Sequence, residues 1–508
     1  MDNRASILRL HDDRPRLSRF LFFVMGSLLT TAFAPFGWYL LAPVLLLPFL
    51  YVCLTVAPRD AGRIAFWFGF GLFLSGTYWI YISVVVFGNA AAWIAIMLML
   101  CLVLLMSTYL WLTGWLISRL SYGEPWLLLF VAPASWVMVE WLRGWILSGF
   151  PWLSIGYSQI DSPLAGWAPV TGVYGISFAV LFSVSAILVM LLTRGKQRWA
   201  ALVLIVLPWI GGGLLKNVAW TESAGTPIRS TLVQAGIPQD QKWLPEQLQP
   251  TLDFYRAATQ RAADSEIVLW PEAAIPSVSD RVEPYIAQLQ ADARMRRQTI
   301  LFGVLERVQH RDETHMYNSI LLVGTDQRQV YRKRHLVPFG EYFPVPAKIR
   351  KWLRMMNLPH SDLSAGDAEQ PLLVAANGAR LAIVVCYEDA FGAEQLYAFP
   401  EAAIMINMSN DAWFGDSIAP HQHLQMARMR SLEVGRHTIR ATNTGVSAFI
   451  GPDGKILKSG PQFEPLSLTM DVQPRRGATP YVRGGNMPVI GLCLIIMSLL
   501  SIRSRAWF

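Results

Sequence analysis

Leu381-Ala382-Ile383-Val384-Val385-Cys386-Tyr387-Glu388-Asp389 is an apolar run of strand length that ends on a cysteine beside two acids. A short continuous run of this kind, rich in β-branched residues, predicts a strand buried on both faces. Comparable runs recur at Ile228–Gln234, Glu266–Trp270, Thr299–Glu306, Ser319–Val323, Gln329–Tyr331, Ala403–Asn407, Ser447–Ile450 and Leu466–Met470, bounded by Gly, Pro and Asn. Glu246–Ala263 and Arg281–Arg297 between them have helical spacing. The alternation predicts a layered α/β domain.

Outward from this domain the texture changes. The chain has 508 residues, of which 53% are hydrophobic and only 15% charged, too apolar for an ordinary soluble enzyme. The excess lies in the first 220 residues. At about 20 apolar residues per crossing, these divide into seven segments, near 18–34, 38–56, 64–85, 90–119, 124–147, 167–193 and 198–216, with an eighth near 487–503. Expected domains are therefore 1–220 (seven membrane spans), 221–485 (catalytic) and 486–508 (a last span and tail). The first segment is expected to be a retained span, because further spans follow it and no clear cleavage site does.

Positive charges sort the loops. Arg4, Arg9, Arg14, Arg16 and Arg19, then Arg59 and Arg63, Arg119, Arg194, Lys196 and Arg198, and Arg503 and Arg505 all fall on one side, while Ala34-Pro35-Phe36-Gly37 and Phe87-Gly88-Asn89 carry no charge. Cytoplasmic loops are enriched in Lys and Arg, so both termini are expected to be cytoplasmic and residues 221–485 to lie across the membrane. The net charge of +8 flanks apolar segments without any recognition motif, so no nucleic-acid partner is expected. Glu140-Trp141-Leu142-Arg143 admits two readings at the membrane boundary: a functional ionisable pair or a self-neutralising one. Pro344–Asn357, which mixes Lys348, Arg350, Lys351 and Arg354 with Trp352 and Leu353, reads either as an interfacial helix contacting lipid or as an ordinary amphipathic helix.

Of four cysteines, Cys53, Cys101 and Cys493 sit in membrane-like runs, leaving Cys386 alone in the polar domain. No zinc spacing occurs, so neither a metal nor a cofactor is expected. Cysteine attacks acyl groups as a thiolate or with a base at hand. Glu272, directly after the strand and proline of Glu266-Ile267-Val268-Leu269-Trp270-Pro271, can be that base. The oxyanion of the tetrahedral intermediate needs a cation or N–H groups, which Lys333 and the amide of Tyr387 can supply. Glu341, eight residues beyond Lys333 across Pro338-Phe339-Gly340, can keep that lysine charged. His335 reads as structural.

The ordered set Trp270-Pro271-Glu272, Tyr331-Arg332-Lys333-Arg334-His335-Leu336-Val337-Pro338-Phe339-Gly340-Glu341 and Cys386-Tyr387-Glu388 resembles the carbon–nitrogen hydrolase (nitrilase) superfamily. Joined to membrane spans, it resembles that superfamily's apolipoprotein N-acyltransferase family. The resemblance implies an α-β-β-α sandwich with a Glu272, Lys333, Cys386 triad and support from Glu341, Tyr387 and Glu388. It also implies Trp243 on a mobile loop at the site entrance and, with a less defined role, Asn318 and the stretch Asn407–Gly415. The implied reaction takes an acyl chain from a phospholipid onto Cys386 and passes it to the α-amine of a diacylglyceryl cysteine at an apolipoprotein N-terminus. A monomer in the bacterial inner membrane is expected. The alternative is a membrane-anchored amidase or phospholipase-like hydrolase that passes the acyl group to water.

Overall fold

The computed structural model describes residues 13–88, 90–121, 123–310, 313–342 and 362–505. The stretch 344–357 lies outside the described residues. Two compact units emerge, one formed by the residues up to Val218 and from Arg483 onward, the other by Ala219–Val482, with the short Val86–Gly88 stretch grouped with the second.

The first unit is helical: Pro15–Leu29, Leu41–Thr55, Pro58–Gly76 with its continuation Trp79–Ile82, Ala92–Ser121, Pro125–Arg143, Ala168–Leu192, Lys196–Leu215 and Met487–Arg505. Pro15, Pro58 and Pro125 open their helices, where the missing N–H costs nothing. Among the described residues four helices are long and apolar enough to cross a membrane, or five if the pair bent by 47° after Gly76 is one span. Eight full crossings are therefore more than helix length and composition support. Leu41–Thr55 has 15 residues and rises only ~22 Å, against a hydrocarbon core of about 30 Å. Helices Pro15–Leu29 and Pro58–Gly76 meet through small residues: a Cβ on Gly26 would overlap the Phe68 carbonyl, and one on Gly71 the Phe23 carbonyl, the close approach typical of helices packed in lipid.

Glu140 and Arg143 are 5% and 3% exposed. Most of their hydrogen bonds go to the irregular segment that follows their helix. Arg143 Nη1 donates to the carbonyls of Phe150 (2.9 Å) and Trp152, and Nη2 to Ser154 Oγ at 3.2 Å. Glu140 Oε1 accepts from the amide of Ile155 (2.7 Å) and from Trp136 Nε1 (2.8 Å). Buried non-helical backbone must find hydrogen-bond partners, and these two side chains supply a donor group and an acceptor for it. The pair staples a loop, a role that neither reading of the sequence named.

The second unit is built on two sheets. One runs, in spatial order, Leu466–Val472, Ile228–Gln234, Ile267–Leu269, Thr299–His310, Glu313–Val323 and Gln329–Arg332, with Ile275–Val278 added to Thr299–His310. The other runs Ile456–Ser459, Ala448–Ile450, Thr438–Thr442, Ile404–Ser409, Arg380–Val385 and Leu373–Val374. Leu232, Leu269, Leu301 and Ile320 of the first pack with Ile383, Val385, Ile406 and Ile439 of the second in one core. The first sheet's outer face packs on helices Pro245–Arg261 and Glu283–Met295 through Tyr255, Trp270, Ile286 and Phe302. The second sheet's outer face packs on Phe399 and Val434. The result is an α-β-β-α sandwich.

Thr438–Thr442 is a fully buried strand that sequence pattern does not flag. Its central residue is Arg440, 0% exposed, whose charge removes the apolar run but is met inside by Asp389 and Asp411.

Candidate active site

Three chain segments leave their strands at one end of this sandwich and each turns sharply. Ala273 after Glu272 has φ +46°, Phe339 between Lys333 and Glu341 has φ +62°, and Cys386 itself has φ +51°. Left-handed backbone at non-glycine residues costs on the order of 1 kcal/mol each and clusters at functional sites. The first turn has its room made for it by Gly303, whose amide donates to the Pro271 carbonyl at 3.1 Å. A Cβ at Gly303 would collide with Glu272 Cα and the Ala273 nitrogen.

Glu272 is 5% exposed and both its oxygens are engaged. Oε2 accepts the Asn410 amide at 2.8 Å. Oε1 accepts Asn318 Nδ2 at 2.7 Å and Lys333 Nζ at 3.2 Å. Asn318 also donates to Glu341 Oε1 at 2.9 Å, so one amide group ties the two glutamates together.

Lys333 follows strand Gln329–Arg332 and is 1% exposed. Its ammonium lies 3.0 Å from each Glu341 oxygen. Glu341 reaches back because its Oε2 accepts the Val337 amide at 2.8 Å, closing the turn over Pro338–Gly340. Burial alone would lower the ammonium's pKa, but Glu272 and Glu341 outweigh it and hold Lys333 well above its ordinary value. Lys333 is thus a fixed cation.

Strand Arg380–Val385 ends one residue earlier than the apolar run predicts, and Cys386 opens a short 3-10 turn to Ala390. The thiol is pushed up from its ordinary value by burial and then by the negative charge of Glu272, while Lys333 pulls it down. The resting group is therefore the thiol, and it needs a base to react. Glu388, 1% exposed, is a clamp. It accepts the amides of Arg334 (2.7 Å), His335 (3.3 Å) and Val385 (2.7 Å) and the Tyr331 hydroxyl (3.1 and 3.0 Å). It thereby fastens the chain around Lys333 to the chain around Cys386.

The remaining expected residues sit around this centre. The half-buried Tyr387 packs its ring on His335 and Phe391, and His335 Nδ1 meets Glu394 at 3.1 Å. Trp243 directly follows the short helix Gln239–Lys242. That helix is tied to the site by Gln239 Oε1, which accepts Asn410 Nδ2 at 2.9 Å. Lys242, which the sequence reading passes over, is 1% exposed and its Nζ lies 3.4 Å from the Glu272 carbonyl. Burial lowers its pKa to about 8, against the pull of Glu272. His423 is also new: its Nε2 lies 3.0 Å from the Cys386 carbonyl. Its helix, Ala419–Val434, is buried almost throughout although rich in Gln, His, Arg and Glu, and a helix without an apolar face is the signal that could have marked it.

Comparison with known proteins places both units. Residues 25–187 match the family model for the apolipoprotein N-acyltransferase N-terminal domain, and residues 230–481 match that for carbon-nitrogen hydrolase. The chain is 42% identical over 483 residues to an apolipoprotein N-acyltransferase of Methylococcus capsulatus, covering 94% of this chain and 95% of that one. It is 42% identical over 494 residues to the same enzyme of Azotobacter vinelandii, covering 95% and 94%, and 38% over 491 residues to that of Nitrosomonas europaea, covering 95% and 97%. With both family models matched in chain order and near-complete coverage of these relatives, the chain belongs to the apolipoprotein N-acyltransferase family.

Proposed function

We propose that this protein transfers a fatty acyl chain from a phospholipid, through a thioester on Cys386, to the N-terminal α-amine of the diacylglyceryl cysteine of apolipoproteins. The observation that carries the reading is the meeting of a buried cation, Lys333, a buried carboxylate, Glu272, and a raised thiol, Cys386, in one electrostatic unit.

Glu272 takes the thiol proton, and the sulfur attacks the ester carbonyl carbon of the donor. The C–S bond forms and the oxyanion faces Lys333 and the Tyr387 amide. The C–O bond then breaks, and the lysophospholipid alkoxide leaves with the proton held by Glu272. In the second half the acceptor amine gives its proton to Glu272 and attacks the thioester. The C–N bond forms, the C–S bond breaks, and the proton returns to sulfur. Glu341 and Asn318 keep Lys333 and Glu272 in register, Glu388 holds the two turns together, and Trp243 borders the entrance.

Both substrates are lipids, which suits a catalytic unit carried by apolar helices. The charge asymmetry of the loops supports placement in the bacterial inner membrane with both termini cytoplasmic and the catalytic unit on the periplasmic side. The shorter helices, Pro15–Leu29, Leu41–Thr55 and Met487–Ile502, bring the five to eight crossings in this reading. A single chain supplies every site residue, in keeping with a monomer.

Mass spectrometry of the Cys386 peptide after incubation with phospholipid alone tests this. An acyl adduct in the native chain, absent in Cys386→Ala and discharged by a diacylated lipopeptide, is the expected result. No adduct would refute the thioester; release of free fatty acid without need of an amine would favour hydrolysis instead.

A further inference from the structure

Behind Cys386 lies a charge cluster that the reaction above does not use. Asp389, Asp411, Arg440 and His423 have side chains no more than 2% exposed. Arg440 Nη1 lies 3.1 Å from Asp389 Oδ2, and Nη2 lies 2.8 Å from Asp411 Oδ2 and 3.0 Å from His423 Nδ1. His423 Nδ1 is 2.8 Å from Asp411 Oδ1, and its Nε2 is 3.5 Å from Asp389 Oδ2 and 3.0 Å from the Cys386 carbonyl oxygen. Ser409 Oγ also lies 2.7 Å from Asp411 Oδ1.

The Cys386 carbonyl fixes the role of one His423 nitrogen. A carbonyl oxygen only accepts, so Nε2 carries a hydrogen. Burial would raise the Asp411 carboxyl, but Arg440 and His423 override it and hold it well below the usual carboxylate range. His423 thus stands between Asp411 and the Cys386 carbonyl, with its side chain 2% exposed.

The peptide between Cys386 and Tyr387 is planar, and its C=O and N–H point in opposite directions. A hydrogen bond from His423 Nε2 to that oxygen fixes the plane and aims the Tyr387 N–H away from the cluster. It also draws electrons toward the oxygen, which makes the N–H a stronger donor. The φ of +51° at Cys386 needs such a hold, because nothing in a cysteine favours left-handed backbone.

We propose that His423 is a positioning residue for acyl transfer: by holding and polarising the Cys386 carbonyl it sets the Tyr387 N–H as the second oxyanion donor beside Lys333. The proposal rests on the thioester reading above. It differs from a merely structural role because it concerns the carbonyl of the substrate rather than the thiol.

Two reactions of the same sulfur separate these roles. Thioester formation from phospholipid builds an oxyanion; alkylation by iodoacetamide builds none. In the full-length chain in detergent, His423→Phe, which keeps a ring but no N–H donor, is expected to slow thioester formation by roughly 30-fold or more, the range for a weakened oxyanion donor. Alkylation of Cys386 should change by less than about threefold. Equal losses in both reactions, or an unchanged acylation rate, would overturn the proposal.

A second variant keeps the question open to refutation if His423→Phe fails to fold. Incorporating the α-hydroxy acid analogue of tyrosine at position 387 turns the amide into an ester and removes the N–H alone. Acylation should fall by a similar factor, and adding His423→Phe should then cost little more. Full acylation by the ester chain, or strictly multiplying losses in the double variant, would refute the role. No adduct in the native chain would instead defeat the thioester reading itself, a result distinguishable from any of these.

Discussion

Glu388 accepts the Arg334 amide at 2.7 Å while its other oxygen accepts the Val385 amide, also at 2.7 Å. One carboxylate thus joins the residue after the candidate oxyanion lysine to the residue before the candidate nucleophile. Glu388→Gln must point an NH2 group at one of these N–H donors whichever way the amide lies. Thioester formation should fall at least tenfold, and the chain should lose about 2 kcal/mol of stability, the cost of a broken buried charged hydrogen bond. Time-resolved mass spectrometry of the Cys386 adduct and thermal melting check both; native behaviour in each would show that the clamp is dispensable.

Glu272 and Lys333 act on the Cys386 thiol with opposite sign, the first raising its pKa and the second lowering it. Glu272→Gln should move the pH profile of Cys386 alkylation to lower pH and Lys333→Met should move it to higher pH, although both abolish acyl transfer. Shifts in the same direction would mean that the two charges do not bear on the sulfur as the geometry requires.

Gly303 carries no reactive group, yet its missing Cβ is the space occupied by Glu272 Cα and the Ala273 nitrogen. Gly303→Ala should displace Glu272, the candidate base. Misplacement of a catalytic group by about 1 Å costs on the order of 100-fold in rate, so acylation should drop by one to two orders of magnitude while lipid binding, read by retention of a labelled phospholipid, stays near native. A variant with full activity would show that the Glu272 turn can shift freely.

Lys242 has a pKa near 8 when folded, lowered by burial, against 10.5 for an ordinary lysine. Between these values the unfolded chain binds more protons than the folded one, so the stability contribution of this residue rises with pH across that window. Two to three pKa units correspond to about 3 kcal/mol. Relative to the native chain, Lys242→Met should therefore be most favourable at pH 7, and its advantage should shrink toward pH 10. A difference in melting temperature that does not vary with pH would contradict the lowered value.

The sequence by itself determined a great deal here. Period and apolarity separate a helical half from an α/β half, because burial between two sheets demands continuous apolar strands and burial in lipid demands long apolar helices. The acids, the lysine and the cysteine at the strand ends are legible because chemistry at strand exits depends on residue type. Lys242, His423 and Arg440 were not legible, since each is a polar residue in a polar context whose burial arises only when distant segments close over it. The same holds for Glu140 and Arg143, three residues apart in sequence, most of whose hydrogen bonds go to the loop at 150–155. Tertiary structure alone decided which charges are buried and what they face, because the low dielectric and the fixed partners that give them meaning do not exist along the chain.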